Sequence, residues 1–388
     1  MRSPRLDTAL FLIVGLSLAG GCNGTLLGSD EPADATLPSS DDAGSDVVVD
    51  APPLEGEDAP PSEAPDAGVE ARPDARVEEP PDASSGPVDS GMTPTGPWFA
   101  TPVASARIFA TGHSLLDRIY GLPMRDGGPM ATLARAAGRD HGSLLQDGAG
   151  STARLRRLHI VERGVYPRPD WASFDTVVVA ERHDLPLAVR YEGTIDEVGW
   201  FVDQVRGAPP GGDRAFFYHT WWYHDGDQAP RLRTWADWSA HTRRELRLYE
   251  CVAERVGALR GFRMPVIPGG LALAALIDEI EAGTMPLRAS AIFEDDVHLT
   301  DLGDAFLAAV HLASVYHTPS RGLVMPGASA DVSERLTALA DRVVGDYHAA
   351  YSAPSPAQCR TLMSELCTVY AGRCPASELG PFFPDGSF

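Results

Sequence analysis

Short runs of apolar, mostly β-branched and aromatic residues alternate with longer helical patterns through the central part of this chain. The runs cover residues 107–111, 176–180, 215–218 and 265–267. Continuous apolar runs of this length are typical of parallel strands buried on both faces. Gly138 and Gly283 stand where two of the intervening helices should end. The predicted helices cover residues 129–137, 194–205, 240–259, 271–282 and 301–316. The pattern therefore predicts an α/β fold with a parallel sheet between layers of helices.

A serine follows the first predicted strand, and an aspartate and a histidine precede the last predicted helix. They are Ser114, Asp295 and His298. A serine hydroxyl is a poor nucleophile unless a base accepts its proton, and the base needs an acceptor on its other ring nitrogen. An aspartate three residues before a histidine can fold back against the imidazole. We therefore predict Ser114 as nucleophile, His298 as base and Asp295 as orienting acid, with Asp296 as the competing acid.

These motifs resemble those of the SGNH or GDSL-like hydrolases, a group of esterases and lipases. Residues 109–117, Phe-Ala-Thr-Gly-His-Ser-Leu-Leu-Asp, resemble the family's nucleophile block, and residues 293–303 resemble its Asp-x-x-His block. The resemblance covers most of residues 107–326 and is closest to a bacterial branch with a Gly-His-Ser-Leu opening. It implies a flavodoxin-like three-layer α/β/α sandwich and a serine esterase that needs no cofactor.

The same resemblance implies that a glycine N–H and an asparagine side chain join the serine N–H in binding the oxyanion. Gly148 fits the glycine, with Gly150 as second choice. The asparagine is missing, because the strand at 176–180 is followed by Glu-Arg-His-Asp. We predict Arg182 as the replacement donor and His183 as second choice, unless Glu181 pairs with Arg182. This departure leaves open a second hypothesis, a catalytically degenerate carbohydrate-binding protein on the same fold.

An aromatic segment at 218–225 follows the third predicted strand and should lie near the same edge of the sheet. Tyrosine and tryptophan rings with polar neighbours suit a sugar ring. Trp221 and Trp222 could equally be core residues. The predicted substrate-binding residues are His113, Glu181, His183, Trp221 and Trp222, and His113 could equally be a solvent-facing turn residue.

Two histidines and an aspartate of the same segment could also be considered as metal ligands. They are His219, His224 and Asp225. Their spacing fits no helix face, and a catalytic metal normally takes about three protein ligands with a further shell behind them. We therefore predict no metal.

The N-terminal region resembles an export signal followed by a tether. Residues 1–22 have a basic start, a short apolar run and a final cysteine, as in a bacterial lipoprotein signal in which Cys22 is lipidated. An ordinary signal peptide is the alternative. Residues 23–97 carry 18 acidic side chains against two arginines, which accounts for −16 of the net charge of −22. Such a segment predicts a disordered, extended linker. The small charge that remains on residues 98–326, the predicted hydrolase domain, gives no reason to expect nucleic-acid binding.

The C-terminal residues, 327–388, are predicted as a helical extension with an amphipathic helix at 331–351. Four cysteines remain besides Cys22, and an even number in an oxidising compartment allows two disulfides in three pairings. They are Cys251, Cys359, Cys367 and Cys374.

Together these features predict an exported serine esterase, lipid-anchored to a bacterial membrane through Cys22 and monomeric. Its substrate is expected to be an ester, in particular an O-acetyl group on a carbohydrate. Besides the degenerate carbohydrate-binding protein, a surface lipoprotein that serves only adhesion or assembly is an alternative.

Overall fold

A computed structural model describes residues 97–121, 128–207, 214–372, 374, 379 and 381–384. The predicted signal peptide, the lipidated cysteine and nearly all of the predicted linker lie outside these residues. The strands are β1 (Ser105–Gly112), β2 (Asp140–Asp147), β3 (Thr176–Ala180), β4 (Arg214–Tyr218) and β5 (Val266–Ile267). The helices are α1 (Ser114–Tyr120), α2 (Gly128–Ala136), α3 (Ala153–Val161), α4 (Leu185–Glu192), α5 (Thr194–Arg206), α6 (Trp235–Arg260), α7 (Gly269–Glu281), α8 (Asp301–Tyr316), α9 (Ala330–Ala350) and α10 (Pro356–Ala371).

The described strands form one parallel sheet in the order β2-β1-β3-β4-β5. This is the flavodoxin-like order, in which functional groups gather at the carboxyl ends of the strands. Phe109 of β1 pairs with Val177 of β3, and Val177 pairs with Ala215 of β4. The register brings the loops after β1, β3 and β4 to one edge of the sheet. The predicted α/β fold with a parallel sheet is confirmed.

Alternate side chains of each strand enter two separate cores. Phe109, Val177 and Phe217 pack with residues of α5 and α6 on one face. Ile108 and Val178 pack with residues of α1, α2, α7 and α8 on the other face. The sheet is therefore buried on both sides, which confirms the three-layer arrangement and explains why its central strands are continuously apolar.

Several elements carry no clear signal in the sequence. Strand β2 lies at the edge of the sheet, and six of its eight residues are exposed or partly exposed, so they show neither a continuous nor an alternating apolar pattern. Helices α1, α3 and α4 have seven to nine residues. Helices this short are stabilised by packing rather than by their own propensity. Helix α6 begins earlier than predicted because the Thr234 side chain accepts a hydrogen bond from Asp237 N.

The C-terminal helices pack on opposite faces of the sandwich. Leu336 and Val344 of α9 belong to the core that contains α8, and Met363 of α10 belongs to the core that contains α6. The disulfide Cys251–Cys359 joins α6 to α10, and a second disulfide joins Cys367 to Cys374. The structure therefore selects one of the three pairings. Within the described ranges, no helix is both long and apolar enough to cross a membrane.

Candidate active site

The nucleophile candidate stands at the first residue of α1, directly behind the carboxyl end of β1. His113 caps this helix, since its backbone oxygen accepts from Leu116 N and Asp117 N. A Cβ at Gly112 would lie 2.7 Å from a Leu116 side-chain carbon. Glycine is therefore required where the chain turns from strand into helix. This tight turn leaves Ser114 partly exposed at the edge of the sheet.

The structure brings Ser114, His298 and Asp295 together. His298 Nε2 lies 3.0 Å from Ser114 Oγ, and His298 Nδ1 lies 2.7 Å from Asp295 Oδ2. The other carboxylate oxygen, Oδ1, accepts from the backbone N–H of Val297 at 2.8 Å and of His298 at 2.6 Å. Burial alone would raise the pKa of Asp295, but the hydrogen bonds from His298 and Val297 outweigh it and lower that pKa. The carboxylate accepts a hydrogen bond from Nδ1–H, so Nε2 carries no proton and can accept the proton of the serine hydroxyl.

Asp296, the competing acid, takes another place. Its backbone oxygen accepts from His224 N at 2.7 Å. Burial and the nearby Asp295 carboxylate raise the pKa of Asp296. Of the two acids, it is Asp295 whose side chain contacts the His298 imidazole.

The expected oxyanion glycine is corrected by the structure. Gly148 N donates to Gly112 O at 3.1 Å and so continues the β1–β2 ladder. Its N–H is therefore already used. Gly150, the second choice, has a positive φ of 61° in the loop that follows β2. Throughout the described ranges, Gly150 N donates no backbone hydrogen bond. The donor candidates are therefore the N–H groups of Gly150 and Ser114, the latter at the start of α1, where backbone amides have no acceptor inside the helix.

The prediction that Arg182 binds the oxyanion conflicts with the contacts of its guanidinium. Nε donates to Asp184 Oδ1 at 2.5 Å and Nη2 to Asp184 Oδ2 at 2.9 Å. Both donors of this fork are therefore occupied by a neighbouring carboxylate. Glu181 is not its partner through the guanidinium, although Glu181 accepts from Arg182 N at 2.8 Å. Glu181 is fully buried and also accepts from Ala153 N and the Thr194 hydroxyl, so it cannot contact substrate as predicted.

His183, the second choice, faces the site. Its ring lies 5.9 Å from that of His113 and 4.9 Å from that of Tyr223. Burial, together with the nearby charges of Arg182 and His298, lowers the pKa of His183 to about 3. The imidazole is therefore neutral at physiological pH, and one of its nitrogens carries a proton that it can donate.

Burial overturns the remaining substrate-binding predictions. Trp221 is 0% exposed and donates from Nε1 to Val297 O at 2.8 Å. Trp222 is 3% exposed and donates to Pro230 O. His113 is 1% exposed and donates from Nε2 to Glu181 O at 3.0 Å. These rings are core or capping groups and are not available to stack on a sugar.

Two tyrosines lie at the edge of the site and are partly exposed: Tyr223, from the predicted aromatic segment, and Tyr166, which was not predicted. Tyr223 packs against His183 and Trp222. Tyr166 donates to Asp147 O, next to Gly148. The sequence around Tyr166 does not indicate this position, because the residue lies in a loop after α3 and only the fold brings that loop beside β2.

The residues considered as metal ligands are used otherwise. His219 is buried and accepts from Leu271 N through Nδ1. His224 stacks on Trp235 at 3.6 Å, and Asp225 forms an ion pair with Arg233 at 2.6 Å. In the part of the chain that the structure describes, no group of three or more His, Cys, Asp or Glu side chains could hold a metal.

A fully buried arginine beneath the site also escaped the sequence analysis. Arg156 Nε donates to Thr111 Oγ1 at 2.9 Å, Nη1 donates to Ser151 O at 2.7 Å, and Nη2 donates to Ala180 O. Burial lowers its pKa to about 10, so it keeps its charge at neutral pH, with Glu181 as a nearby countercharge. It therefore ties the ends of β1 and β3 to the loop that carries Gly150. In the sequence it is one of several arginines of α3, which look like a solvated helix face.

No protein-family model and no curated protein sequence matches the chain. Several solved structures are similar to it. The match to a DUF4886 family protein from Bacteroides uniformis covers 64% of this chain and 98% of that one, with 12% identity and a TM-score of 0.45. A candidate SGNH hydrolase from Slackia heliotrinireducens matches over 54% of this chain and 99% of its own, with 17% identity and a TM-score of 0.36. A catalytic mutant of an acetylxylan esterase from Geobacillus stearothermophilus matches over 55% and 96%, with 14% identity and a TM-score of 0.37.

The resemblance to the SGNH hydrolases, which the sequence blocks at 109–117 and 293–303 predict, is consistent with the geometry of the site. The nucleophile candidate follows the first strand of a sheet in flavodoxin-like order, and the aspartate and histidine precede the helix α8. In strand order and in the placement of Ser114, Asp295 and His298, the chain resembles the SGNH hydrolases.

Proposed function

We propose that this chain is a serine hydrolase that cleaves carboxylic esters. The observation that carries the proposal is the continuous hydrogen-bonded path from Ser114 Oγ through the His298 ring to Asp295. The His298 side chain is 41% exposed, so a substrate can reach the serine and the base together.

In this proposal, Ser114 Oγ attacks the ester carbonyl carbon and passes its proton to His298 Nε2. Collapse of the tetrahedral intermediate breaks the bond to the alcohol, which leaves with the proton from His298. Water then attacks the acyl-serine, with His298 again accepting a proton, and releases the acid. The N–H groups of Ser114 and Gly150 and the ring of His183 hold the oxyanion, a contribution of about 2.7–4 kcal/mol for one good donor.

The finer proposal is that the ester is an O-acetyl group on a carbohydrate. Tyr166, Tyr223 and His183 are partly exposed at the edge of the site. Aromatic rings with polar tips can stack on a sugar ring and bond its hydroxyls. We also propose, from the sequence of residues 1–97, that the enzyme is exported and anchored through a lipid on Cys22.

Labelling with a fluorophosphonate, followed by peptide mapping, tests the proposal. The wild-type chain should form an adduct at Ser114 and hydrolyse short-chain aryl esters, while Ser114→Ala should do neither and keep its fold by circular dichroism. The adjacent acids form a matched pair: Asp295→Asn should lower kcat by orders of magnitude, and Asp296→Asn should have a small effect. An active, labelled Ser114→Ala variant would refute Ser114 as the nucleophile, whereas a folded wild-type chain that neither forms the adduct nor hydrolyses esters would favour a noncatalytic carbohydrate-binding protein.

The substrate class needs a separate measurement. Rates of acetate release from acetylated oligosaccharides should exceed the rates of release of longer acyl groups from matched esters. Faster cleavage of long-chain esters would leave the hydrolase in place and overturn the acetyl-carbohydrate proposal.

A further inference from the structure

Arg118 of α1 connects the helix that carries Ser114 to the loop that carries His298. It lies four residues after Ser114, so both side chains share one face of the helix. Its Nη1 donates to Leu299 O at 2.7 Å and to Glu294 Oε2 at 2.9 Å. Glu294 immediately precedes Asp295, and Leu299 immediately follows His298. One guanidinium nitrogen therefore binds both ends of residues 294–299, which we call the predicted catalytic loop.

The other guanidinium nitrogens of Arg118 contact the first turn of helix α8. Nη2 donates to Asp301 Oδ1 at 2.6 Å, and Nε lies 2.9 Å from Asp304 Oδ2. Asp304 is largely buried, whereas Asp301 is exposed. The planar guanidinium presents donors in several fixed directions at once, which a lysine ammonium on a flexible stem does not reproduce.

The charge balance supports a permanent contact. Burial alone would lower the pKa of Arg118, but its hydrogen bonds to Glu294 and Asp301 outweigh burial and raise that pKa. The side chain therefore stays cationic throughout the pH range in which proteins fold. The loop itself is short and closed by Glu294 N, which donates to His298 O at 2.9 Å, so its two ends are joined directly.

We infer that Arg118 is a positioning residue that sets the separation between Ser114 and His298. This inference rests on the proposed serine hydrolase function. The two residues are 184 positions apart in sequence and meet across a single hydrogen bond of 3.0 Å. Arg118 is joined covalently to the helix of one and by several hydrogen bonds to the loop of the other. A misplacement of about 1 Å between reacting groups can cost about 100-fold in rate.

A second arginine serves as a control that distinguishes an effect on catalytic positioning from an effect on stability. Arg260, at the end of α6, donates to Gly199 O at 3.2 Å and to both oxygens of Asp203 at 2.8 and 3.0 Å. It likewise joins one helix to another through a carbonyl and a carboxylate, but none of these partners belongs to the predicted catalytic residues.

The experiment compares the full chain with Arg118→Met, Arg118→Lys and Arg260→Met. For each protein, kcat and KM for an aryl acetate and the fluorophosphonate inactivation rate are measured well below its Tm. We expect Arg118→Met to lower kcat and the inactivation rate by about 10- to 100-fold with a nearly unchanged KM. Arg118→Lys should show a smaller loss, and Arg260→Met should lower Tm without changing kcat.

Unchanged kcat in folded Arg118→Met would overturn the inference, as would a loss in kcat equal to the loss of folded protein. If Arg118→Met fails to fold, Arg118→Lys decides, because wild-type kcat in that variant would also overturn the inference. A wild-type chain that neither turns over esters nor reacts with the fluorophosphonate would instead refute the proposed function itself.

Discussion

His183 illustrates how one residue can take a place for which another type is expected. It is the third residue after β3, its ring faces those of His113 and Tyr223, and it is neutral because burial lowers its pKa to about 3. A neutral imidazole N–H is a donor of the same kind as an asparagine amide. Arg182, by contrast, is bound by Asp184 through two hydrogen bonds.

We therefore expect His183→Ala to lower kcat by about 100- to 1000-fold with a small change in KM. His183→Asn should retain much of the activity, because the amide restores a donor. Arg182→Met should lower Tm and leave kcat nearly unchanged, since it breaks an ion pair. Steady-state kinetics and thermal melts check these outcomes, and a large loss of kcat in Arg182→Met alone would return the donor role to Arg182.

The pH dependence of turnover follows from which histidines can titrate. Burial holds the pKa of His183 at about 3 and that of His113 well below its ordinary value, so both are already neutral at mildly acid pH. The pKa of Asp295 is lowered, so it remains a carboxylate there. Neither the two buried imidazoles nor Asp295 should therefore change protonation on the mildly acid side of the profile.

As pH falls, kcat/KM should decrease, because a general base accepts the serine proton only while it is unprotonated, and turnover should not increase again at lower pH. The profile of His183→Asn should have the same acid limb as the wild type. An acid limb that moves in His183→Asn would show that His183 itself titrates in this range.

At the scale of elements, the loop between β4 and α6 also supports the predicted catalytic loop. Trp221 Nε1 donates to Val297 O at 2.8 Å, and His224 N donates to Asp296 O at 2.7 Å. Both acceptors lie between Asp295 and His298. The buried Trp221 indole can therefore affect catalysis through its hydrogen bond to the loop, and not by contacting the substrate.

Trp221→Phe keeps most of the buried ring and removes this donor. We expect kcat to fall about tenfold, because the loop loses one restraint on its position, and stability to fall by about 1–3 kcal/mol for the carbonyl left unpaired. Trp98→Phe is the control, since Trp98 Nε1 donates to Ala313 O at 3.1 Å and contacts no predicted catalytic residue. Equal kcat in the two variants would remove Trp221 from the support of the loop.

At the scale of the whole molecule, the C-terminal helix α10 is fastened to α6 by a disulfide that spans 108 residues. It also reaches the site indirectly, since Tyr370 packs against Trp222 at 4.7 Å. The second disulfide spans only seven residues. In the chain-entropy account, a disulfide that closes a loop of roughly 100 residues lowers the entropy of the unfolded chain and so raises the free energy of unfolding by about 4.7 kcal/mol. A disulfide that closes a short loop contributes less.

The double variant Cys251→Ser/Cys359→Ser should therefore lose more stability than Cys367→Ser/Cys374→Ser, and both should keep kcat at temperatures where they remain folded. Chemical denaturation of the two variants gives the comparison. A larger loss from the short-range pair would mean that native-state packing, and not loop closure, determines the contribution of these bonds.

Much of the architecture could be predicted from the chain, because burial on both faces of a parallel sheet makes its central strands continuously apolar. Strand β3 is predicted at its observed bounds for this reason. The edge strand β2 is not predicted, since six of its eight residues are exposed or partly exposed and need not be apolar. Short helices such as α1 and α4 escape because their stability comes from neighbours that are remote in sequence.

The residues of the candidate site likewise divide into those that the sequence indicates and those whose roles depend on tertiary structure. Two short motifs, by their order, spacing and strand context and by their resemblance to the family's blocks, indicate Ser114, Asp295 and His298, and the structure joins the three by hydrogen bonds. Tertiary structure decided what depends on distant partners: the use of the Gly148 N–H by Gly112 O, the hydrogen bonds of buried Glu181 to Ala153 and Thr194, and the burial of Trp221. Whether a polar group is available to a substrate depends on every partner within hydrogen-bond distance, and a sequence shows only those nearby along the chain.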